Sequence, residues 1–343
     1  MKTNNRDSYY TSDAFAEVLM SFIDFTNVET VADVCVGGGN LLHAVQARKS
    51  SVICYGTDIN DEVVSTLRQS QPCWILDTCD FLDEESRRNS FLNTECFDLM
   101  VLNPPFTCRG SVISVVFYKG DEYHVSTSMS FIVNALSYIN STGIIYAIMP
   151  ISTIYSQKDR KIWMEIFKDY EVKVHHEAEH EVFGNSAPNV AIISIKRGRT
   201  KTLFFSLPPH LNISMKIEVI RGKKNMHYMA QRPGEKQLIH TTSLQRNKII
   251  EDCHVSDEVL KVKGPGVLIP RVGLPKAEKI CLMPSNKKCA ISDCIILLKT
   301  QCTRDSVKLQ KMILDDWEHF CELYKGTGAK YITIERIRDY FVI

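Results

Sequence analysis

Asn103-Pro104-Pro105-Phe106 carries the most specific chemistry in this chain. It follows Phe97-Asp98-Leu99-Met100-Val101-Leu102, an apolar run that reads as a buried strand. Two consecutive prolines lock the backbone just past that strand, where a loop would otherwise move. They hold the Asn103 carboxamide and the Pro104 carbonyl as neighbouring acceptors, and Phe106 offers an aromatic face to a planar ring. That arrangement suits an exocyclic amino group: its hydrogens go to two acceptors, its ring stacks, and its lone pair points outward. The plainer reading, a rigid turn that caps a strand, leaves the residues upstream unexplained.

Those residues begin with Asp33-Val34-Cys35-Val36-Gly37-Gly38-Gly39, a glycine turn after a strand-like run. Glycines there let a backbone approach a ligand closely. Nineteen residues past Gly39, at the end of the strand-like Ser51–Gly56 stretch, stands Asp58. An acid about 20 residues beyond such a turn suits a ribose, whose two hydroxyls can donate to a carboxylate. The turn is not G-x-G-x-x-G, so a dinucleotide is not implied. An adenosine-type ligand without a pyrophosphate fits as well, and a plain glycine turn is the structural alternative.

The elements that must hold these groups alternate between strand and helix patterns. Phe15, Val18, Leu19 and Phe22 recur at helical spacing, with Ser12 or Asp13 available as a cap. Met129, Ile132, Val133, Leu136 and Ile139 form a second helical face, followed by the strand-like Ile144–Met149. The expected fold is α/β: a Rossmann-like domain over residues 1–200, its mostly parallel sheet covered on both faces and its ligand at the carboxyl ends of the strands. Lys196-Arg197-Gly198-Arg199-Thr200-Lys201 reads as a junction. Beyond it a smaller α+β domain, residues 201–343, is expected. Its short strands (Val267–Ile269, Cys294–Leu298) precede one helix with Ile313, Trp317, Phe320 and Tyr324 on one face.

Composition excludes several classes. Of 343 residues, 44% are hydrophobic and 24% charged, enough apolar material for one or two cores and too much for a disordered chain. No apolar run approaches the ~20 residues of a membrane helix, and the polar start Met1–Asp7 lacks a signal-peptide core, so a cytoplasmic protein is expected. The 12 cysteines include no C-x2-C pair, which argues against zinc. His176-Glu177-Ala178-Glu179-His180 matches the H-E-x-x-H zinc pattern, but Val172 and Val174 alternate with Lys173 and His175 at a strand period, and the pattern needs a helix. No metal is expected. The net charge of +1 conceals an asymmetry. Residues 201–343 carry 24 Lys+Arg against 15 Asp+Glu, a balance of +9; residues 1–200 carry 17 against 25, a balance of −8. A basic second half suggests a polyanionic partner.

The order of motifs resembles the gamma group of S-adenosylmethionine-dependent DNA adenine-N6 methyltransferases. Tyr9-Tyr10-Thr11 resembles the aromatic-Thr segment that leads that group, and the resemblance implies that Thr11 helps hold the cofactor. Asp33 with Gly37–Gly39 resembles its first motif, Asp58 its ribose acid, Asp80-Phe81 the pair that binds the cofactor adenine, and Asp98–Phe106 its catalytic motif. Phe183, in Val182-Phe183-Gly184-Asn185, resembles the aromatic that stacks with Phe106 on a flipped base. This likeness covers about residues 8–197 and departs from the pattern at Val34, where proline is usual. Three segments of the second half, Val267–Gly273, Ile291–Asp293 and Gly326–Thr333, resemble a target-recognition unit of type I restriction specificity subunits, which makes Arg271 and Lys330 candidate DNA contacts. The resemblance implies a cytoplasmic enzyme using S-adenosyl-L-methionine on double-stranded DNA, with a restriction endonuclease or specificity partner.

Three rivals share parts of this pattern. Methyltransferases of RNA or of a protein glutamine amide also present Asn-Pro-Pro-aromatic, because their target is a planar nitrogen too. The glutamine enzymes place their extra domain before the fold, unlike the basic region here. A non-catalytic DNA-binding subunit would not require Asn103–Phe106 together with Thr11 and Asp58. Cytosine-N4 enzymes more often show Ser-Pro-Pro.

Overall fold

A computed structural model describes residues 11–106, 113–155, 157–178, 189–200, 213, 215–223, 236–250, 254–255, 262–326 and 329–343. The chain divides into two compact units, Met1–Phe204 and Phe205–Ile343.

The first unit is built on strands β1 (Thr30–Asp33), β2 (Ile53–Asp58), β3 (Ile75–Thr78), β4 (Phe97–Leu102), β5 (Ser114–Tyr118), β6 (Asp121–Val125), β7 (Ile139–Pro150), β8 (Tyr170–Ala178) and β9 (Val190–Arg197). Among the described residues, seven of them form one sheet in the order β3-β2-β1-β4-β7-β9-β8. The pairs from β3 to β7 are parallel, and β9 runs antiparallel to both β7 and β8. This is the α/β, mostly parallel sheet. Its central strands are apolar on both faces, as helices on either side require: Leu99, Met100, Val101 and Leu102 are all fully buried. Strand order reverses between β1 and β4, so the crevice past their carboxyl ends is the natural ligand site.

Helices α1 (Asp13–Met20), α2 (Asn40–Arg48), α3 (Asp61–Ser70), α4 (Glu84–Arg88), α5 (Thr127–Ala135), α6 (Ile151–Tyr155) and α7 (Gln157–Ile166) connect the strands. Ser12 caps α1, accepting from the Phe15 amide at 3.3 Å. At the opposite end of the strands from the crevice, Asp98 stitches three of them together. Its Oδ2 accepts from the Glu29 and Thr30 amides at 2.9 and 3.0 Å, and its Oδ1 from the Asn140 carboxamide. Burial alone would raise that carboxyl, but these donors outweigh it and hold it below its ordinary value. One expectation shifts: Ile139, on the predicted helical face, begins β7, because α5 ends at Ala135 and a turn intervenes. His176 and Glu177 lie within β8, so the helix required by the zinc pattern is not formed there; Glu179 and His180 lie outside the described residues.

The second unit contains β10 (Glu218–Arg221), β11 (Lys236–Ile239), β12 (Leu244–Gln245), β13 (Lys248–Ile249), β14 (His254–Val255), β15 (Val262–Lys263), β16 (Gly266–Pro270), β17 (Cys281–Met283), β18 (Lys288–Ile291) and β19 (Ile295–Lys299). Among the described residues, β10-β19-β16-β17 form an antiparallel sheet and β14-β11-β18-β15 a mixed one. One apolar cluster joins Val267, Ile269, Ile296 and Leu298 to the helices that follow; another gathers Leu268, Cys281, Ile291 and Leu297. The single helix expected around Ile313–Tyr324 is two, α8 (Thr303–Asp315) and α9 (Trp317–Glu322), before α10 (Ile334–Phe341). The break falls at Asp316, whose carboxylate accepts from the Tyr340 hydroxyl at 2.6 Å and contacts His319 Nδ1 at 2.6 Å. Among the described residues no helix is long and apolar enough to cross a membrane.

Candidate active site

A cavity of about 570 Å³ opens at the carboxyl ends of β1, β2, β3 and β4, within the size range of small-molecule sites. Thr11, Asp33, Gly37, Asp58, Asp80, Phe81, Asn103, Pro104, Pro105 and Phe106 all line it. Residues more than 90 positions apart in sequence thus share one space.

The glycine turn is shaped by backbone conformation. Gly37 has φ +48° and Gly39 φ +83°, a region that side chains with a Cβ avoid. The Gly37 amide donates to Asp58 Oδ2 at 3.0 Å, and the Asn60 amide to Asp58 Oδ1 at 2.9 Å. Each Asp58 oxygen therefore has one lone pair committed to the fold and another available to a ligand hydroxyl. Gly39 stands apart: it is not in the cavity wall, and a Cβ there would lie 3.0 Å from Trp74 Cζ3. Its glycine is required by the turn and by the Trp74 ring.

Asp33 is the electrostatic centre of the pocket. It is only 2% exposed and accepts from the Cys35 amide at 3.0 Å. Burial pushes its carboxyl up to about 7, with Asp58 adding in the same direction. A cation placed beside it would favour the ionised form. Cys35 lines the same wall, and burial followed by the charge of Asp33 pushes its thiol well above the ordinary range.

Asp80 and Phe81 follow β3 and are clamped by α4. The Asp80 amide donates to Ser86 Oγ at 2.9 Å, and Asp80 Oδ1 accepts from the Leu82 amide at 3.0 Å. Arg87 donates to the Phe81 carbonyl at 2.6 Å and lies over its ring. Phe81 packs against Phe131, with 5.5 Å between centroids. Ile59 is 54% exposed on the wall of the cavity, an apolar surface that a planar ligand would cover.

The Asn103–Phe106 loop is tied to the start of the first unit. Asn103 Nδ2 donates to Thr11 Oγ1 at 2.9 Å, and Asn40 Nδ2 donates to the Thr11 carbonyl at 2.8 Å. Thr11 therefore joins the glycine turn, through Asn40, to the loop that bears Asn103. The Pro105 carbonyl accepts from Ser128 Oγ at 3.0 Å, which fixes the loop from the α5 side. Phe106 lines the cavity but is only 2% exposed, most of its ring being packed in the core. Phe183, Tyr9 and Tyr10 lie outside the described residues. Asn40, Ile59, Asn60 and Ser128 join the site only in the folded chain. Only Asn60 carried a signal, as a polar residue just past Asp58 that caps α3.

In the second unit the three resembling segments meet. The Arg271 amide donates to the Cys294 carbonyl at 2.7 Å, the Gly273 amide to the Lys330 carbonyl at 2.8 Å, and the Ile332 amide to the Arg271 carbonyl at 2.9 Å. The Arg271 side chain is 17% exposed, with Nε donating to the Asp293 carbonyl at 2.5 Å. Lys330 is partly exposed beside it, while Thr327 and Gly328 lie outside the described residues. Among the described residues, no group of three or more His, Cys, Asp or Glu is placed to hold a metal ion.

Residues 1–238 match the model of the N-6 DNA Methylase family. This chain belongs to that family. No curated protein matches its sequence. Solved structures with similarity include the type I restriction-modification system methyltransferase subunit from Streptococcus thermophilus, at 20% identity and TM-score 0.44, covering 56% of this chain and 45% of that one. A protein from Listeria monocytogenes assigned as a class I S-adenosylmethionine-dependent methyltransferase shares 16% identity at TM-score 0.43, covering 59% and 64%. One from Vibrio vulnificus YJ016, assigned as a modification subunit of a type I restriction enzyme, shares 15% at TM-score 0.43, covering 58% and 46%. The chain spans less than two thirds of the length of each.

Proposed function

We propose that this member of the N-6 DNA methylase family transfers a methyl group from S-adenosyl-L-methionine to N6 of an adenine flipped out of double-stranded DNA. One observation carries the reading: Asp33, Asp58, Asp80 and Phe81 line the same cavity as Asn103-Pro104-Pro105-Phe106. A donor and an amino acceptor can therefore meet there.

The residues present fit that cofactor. Asp58, held by two backbone amides, takes the ribose hydroxyls. The Asp33 carboxylate faces the cationic amino-acid end, Asp80 accepts from the adenine amine, and Phe81 and Ile59 enclose the ring. When bound, the cofactor supplies a methyl group on a sulfonium, already activated for direct displacement. The chain's task is mainly positioning. The Asn103 carboxamide and the Pro104 carbonyl accept the two N6 hydrogens, which aims the lone pair at the methyl. The proton lost from N6 becomes acidic once the methyl is attached and leaves to solvent, so no strong base is needed. Phe106, its ring largely packed in the core, bounds the target pocket from one side, and Phe183 stacks the target ring. Extruding the base costs a few kcal/mol, which basic contacts to the backbone offset.

The second unit is proposed to read the DNA. Arg271 and Lys330 stand where its three resembling segments meet, and Arg271 commits one of its five N–H donors to Asp293. A restriction-modification or related defence system, with a nuclease or specificity partner, is the proposed setting. The test is methylation-sensitive long-read sequencing of DNA from cells expressing the protein, beside the Asn103→Ala variant. We expect N6-methyladenine at one recognition sequence, and a turnover loss on the order of 10²–10³ in the variant with cofactor binding retained. Methylation of RNA or protein alone, or normal turnover in Asn103→Ala, would overturn the reading.

A further inference from the structure

Helix α8 carries Arg304, Lys308 and Lys311, all exposed, while Ser306, Leu309 and Ile313 on its other side are buried. At about 100° per residue the three cations fall within roughly 60° of one another, and they span about 10 Å along the axis. That length equals the axial rise of about three phosphates on one DNA strand. Leu309 and Ile313 sit in the apolar cluster with Val267, Ile269, Ile296 and Leu298, so the helix is fixed to the sheet and the ridge is a rigid line.

Helix stability does not account for this placement. A helix dipole favours anions in the first turn and cations in the last. Here Arg304 stands in the first turn, no basic residue occupies the last, and Asp315 ends the helix. Among the described residues, no carboxylate forms an ion pair with Arg304, Lys308 or Lys311. Asp305 and Asp315 are the acids on the same helix; Asp305 lies off the ridge, and Asp315 closes its far end.

We propose that the exposed ridge of α8 is a docking surface for the phosphate backbone of double-stranded DNA. The inference rests on the reading that this chain acts on duplex DNA, and on charge complementarity: the second half of the chain carries a balance of +9, and this helix sets three of its cations along a span of about three phosphate rises. A second basic patch exists on the β15–β18 pair, where Lys263 stands opposite Lys288. It has two cations on strands of two and four residues, without a regular line. The ridge supplies affinity without sequence preference, whereas Arg271 and Lys330 lie within the segments proposed to read the DNA.

The experiment measures binding of the full chain to labelled duplex DNA by anisotropy, over about 50–300 mM salt. Arg304→Gln, Lys308→Gln and Lys311→Gln are made singly and together. Each single substitution should shrink the slope of log affinity against log salt by about 0.9, and the triple by about 2–3, equally for sites with and without the recognition sequence. Melting temperature and cofactor affinity should not change. Lys263→Gln/Lys288→Gln should keep the parent slope. An unchanged slope in the single and triple variants, or a loss confined to the Lys263/Lys288 variant, overturns the proposal. Equal binding of duplex RNA through the same three residues overturns its commitment to DNA. If the parent protein shows no salt-dependent binding to duplex DNA, the functional reading itself fails, which is a different result.

Discussion

If Asp33 holds the cationic end of the proposed cofactor, affinity should rise steeply with pH and then level off near neutrality, because the carboxyl must lose a proton to receive a cation. Its carboxyl is pushed up to about 7 from 3.8, chiefly by burial. At about 1.4 kcal/mol per tenfold change, that gap places an ionisation cost on the order of 4 kcal/mol on the ligand-free protein. The sign is opposite to that of a salt-bridged aspartate. Here the folded state binds the proton more tightly than the unfolded chain, so stability is greatest below the ordinary carboxyl value and falls as pH rises through about 7. A bound ammonium or sulfonium reverses this by favouring the charged form. Affinity should then increase nearly tenfold per pH unit below about 7, or about 25-fold between roughly pH 5.5 and 7.5. The range stops there because an α-amino group itself begins to titrate near 7.7–8.0. Calorimetry in two buffers of different ionisation enthalpy measures both the dissociation constant and the protons released, which should approach one per binding event at about pH 6. Asp33→Asn should flatten the profile and abolish the proton release. A flat profile in the parent protein, with no proton released, would refute the argument.

Other residues give separate readouts. Thr11→Val removes the hydroxyl that accepts from Asn103, and loss of one neutral hydrogen bond should cost about 3–10-fold in turnover, measured with saturating cofactor. Asp98→Ala should lower stability by about 2 kcal/mol in denaturant titration while leaving the cofactor dissociation constant unchanged, since it orphans the amides of Glu29 and Thr30. Because the Asp98 carboxyl is held below its ordinary value, that stability is present above about pH 4 and lost as pH falls through the depressed value, so the variant and parent should converge in acid. Gly39→Val should destabilise by at least about 1 kcal/mol, through φ +83° and the Trp74 ring, and a variant as stable as the parent would contradict that account.

The candidate site is legible where sequence imposes geometry directly. Two adjacent prolines after an apolar run can do little except end a strand rigidly, so Asn103–Phe106 stood out. Asp58 is legible as a candidate because an acid about 20 residues past a glycine turn falls at the end of the next strand, beside that turn. Asn40 and Ser128 were not found, since a single amide or hydroxyl on a helix has no pattern until its partner, Thr11 or Pro105, is placed beside it. The division of one expected helix into α8 and α9 was hidden for a similar reason: apolar periodicity runs on through the break, and the contact with Asp316 comes from Tyr340, which the fold alone brings near. Charge counting gave the basic second half but not the α8 ridge, because a sum carries no direction. The meeting of Arg271, Asp293 and Lys330 likewise needed the folded chain.

The half-hidden thiol of Cys35 bears on chemoselectivity. Sulfur is the better methyl acceptor, and as thiolate it would outcompete an aromatic amine for an activated methyl group. A wall that carried such a thiolate would alkylate itself and stop after one turnover. By burying that sulfur beside a carboxylate, the fold keeps it protonated and nearly inert. Under the proposed function, the pocket can then line a reactive electrophile with cysteine and still deliver its methyl group to nitrogen.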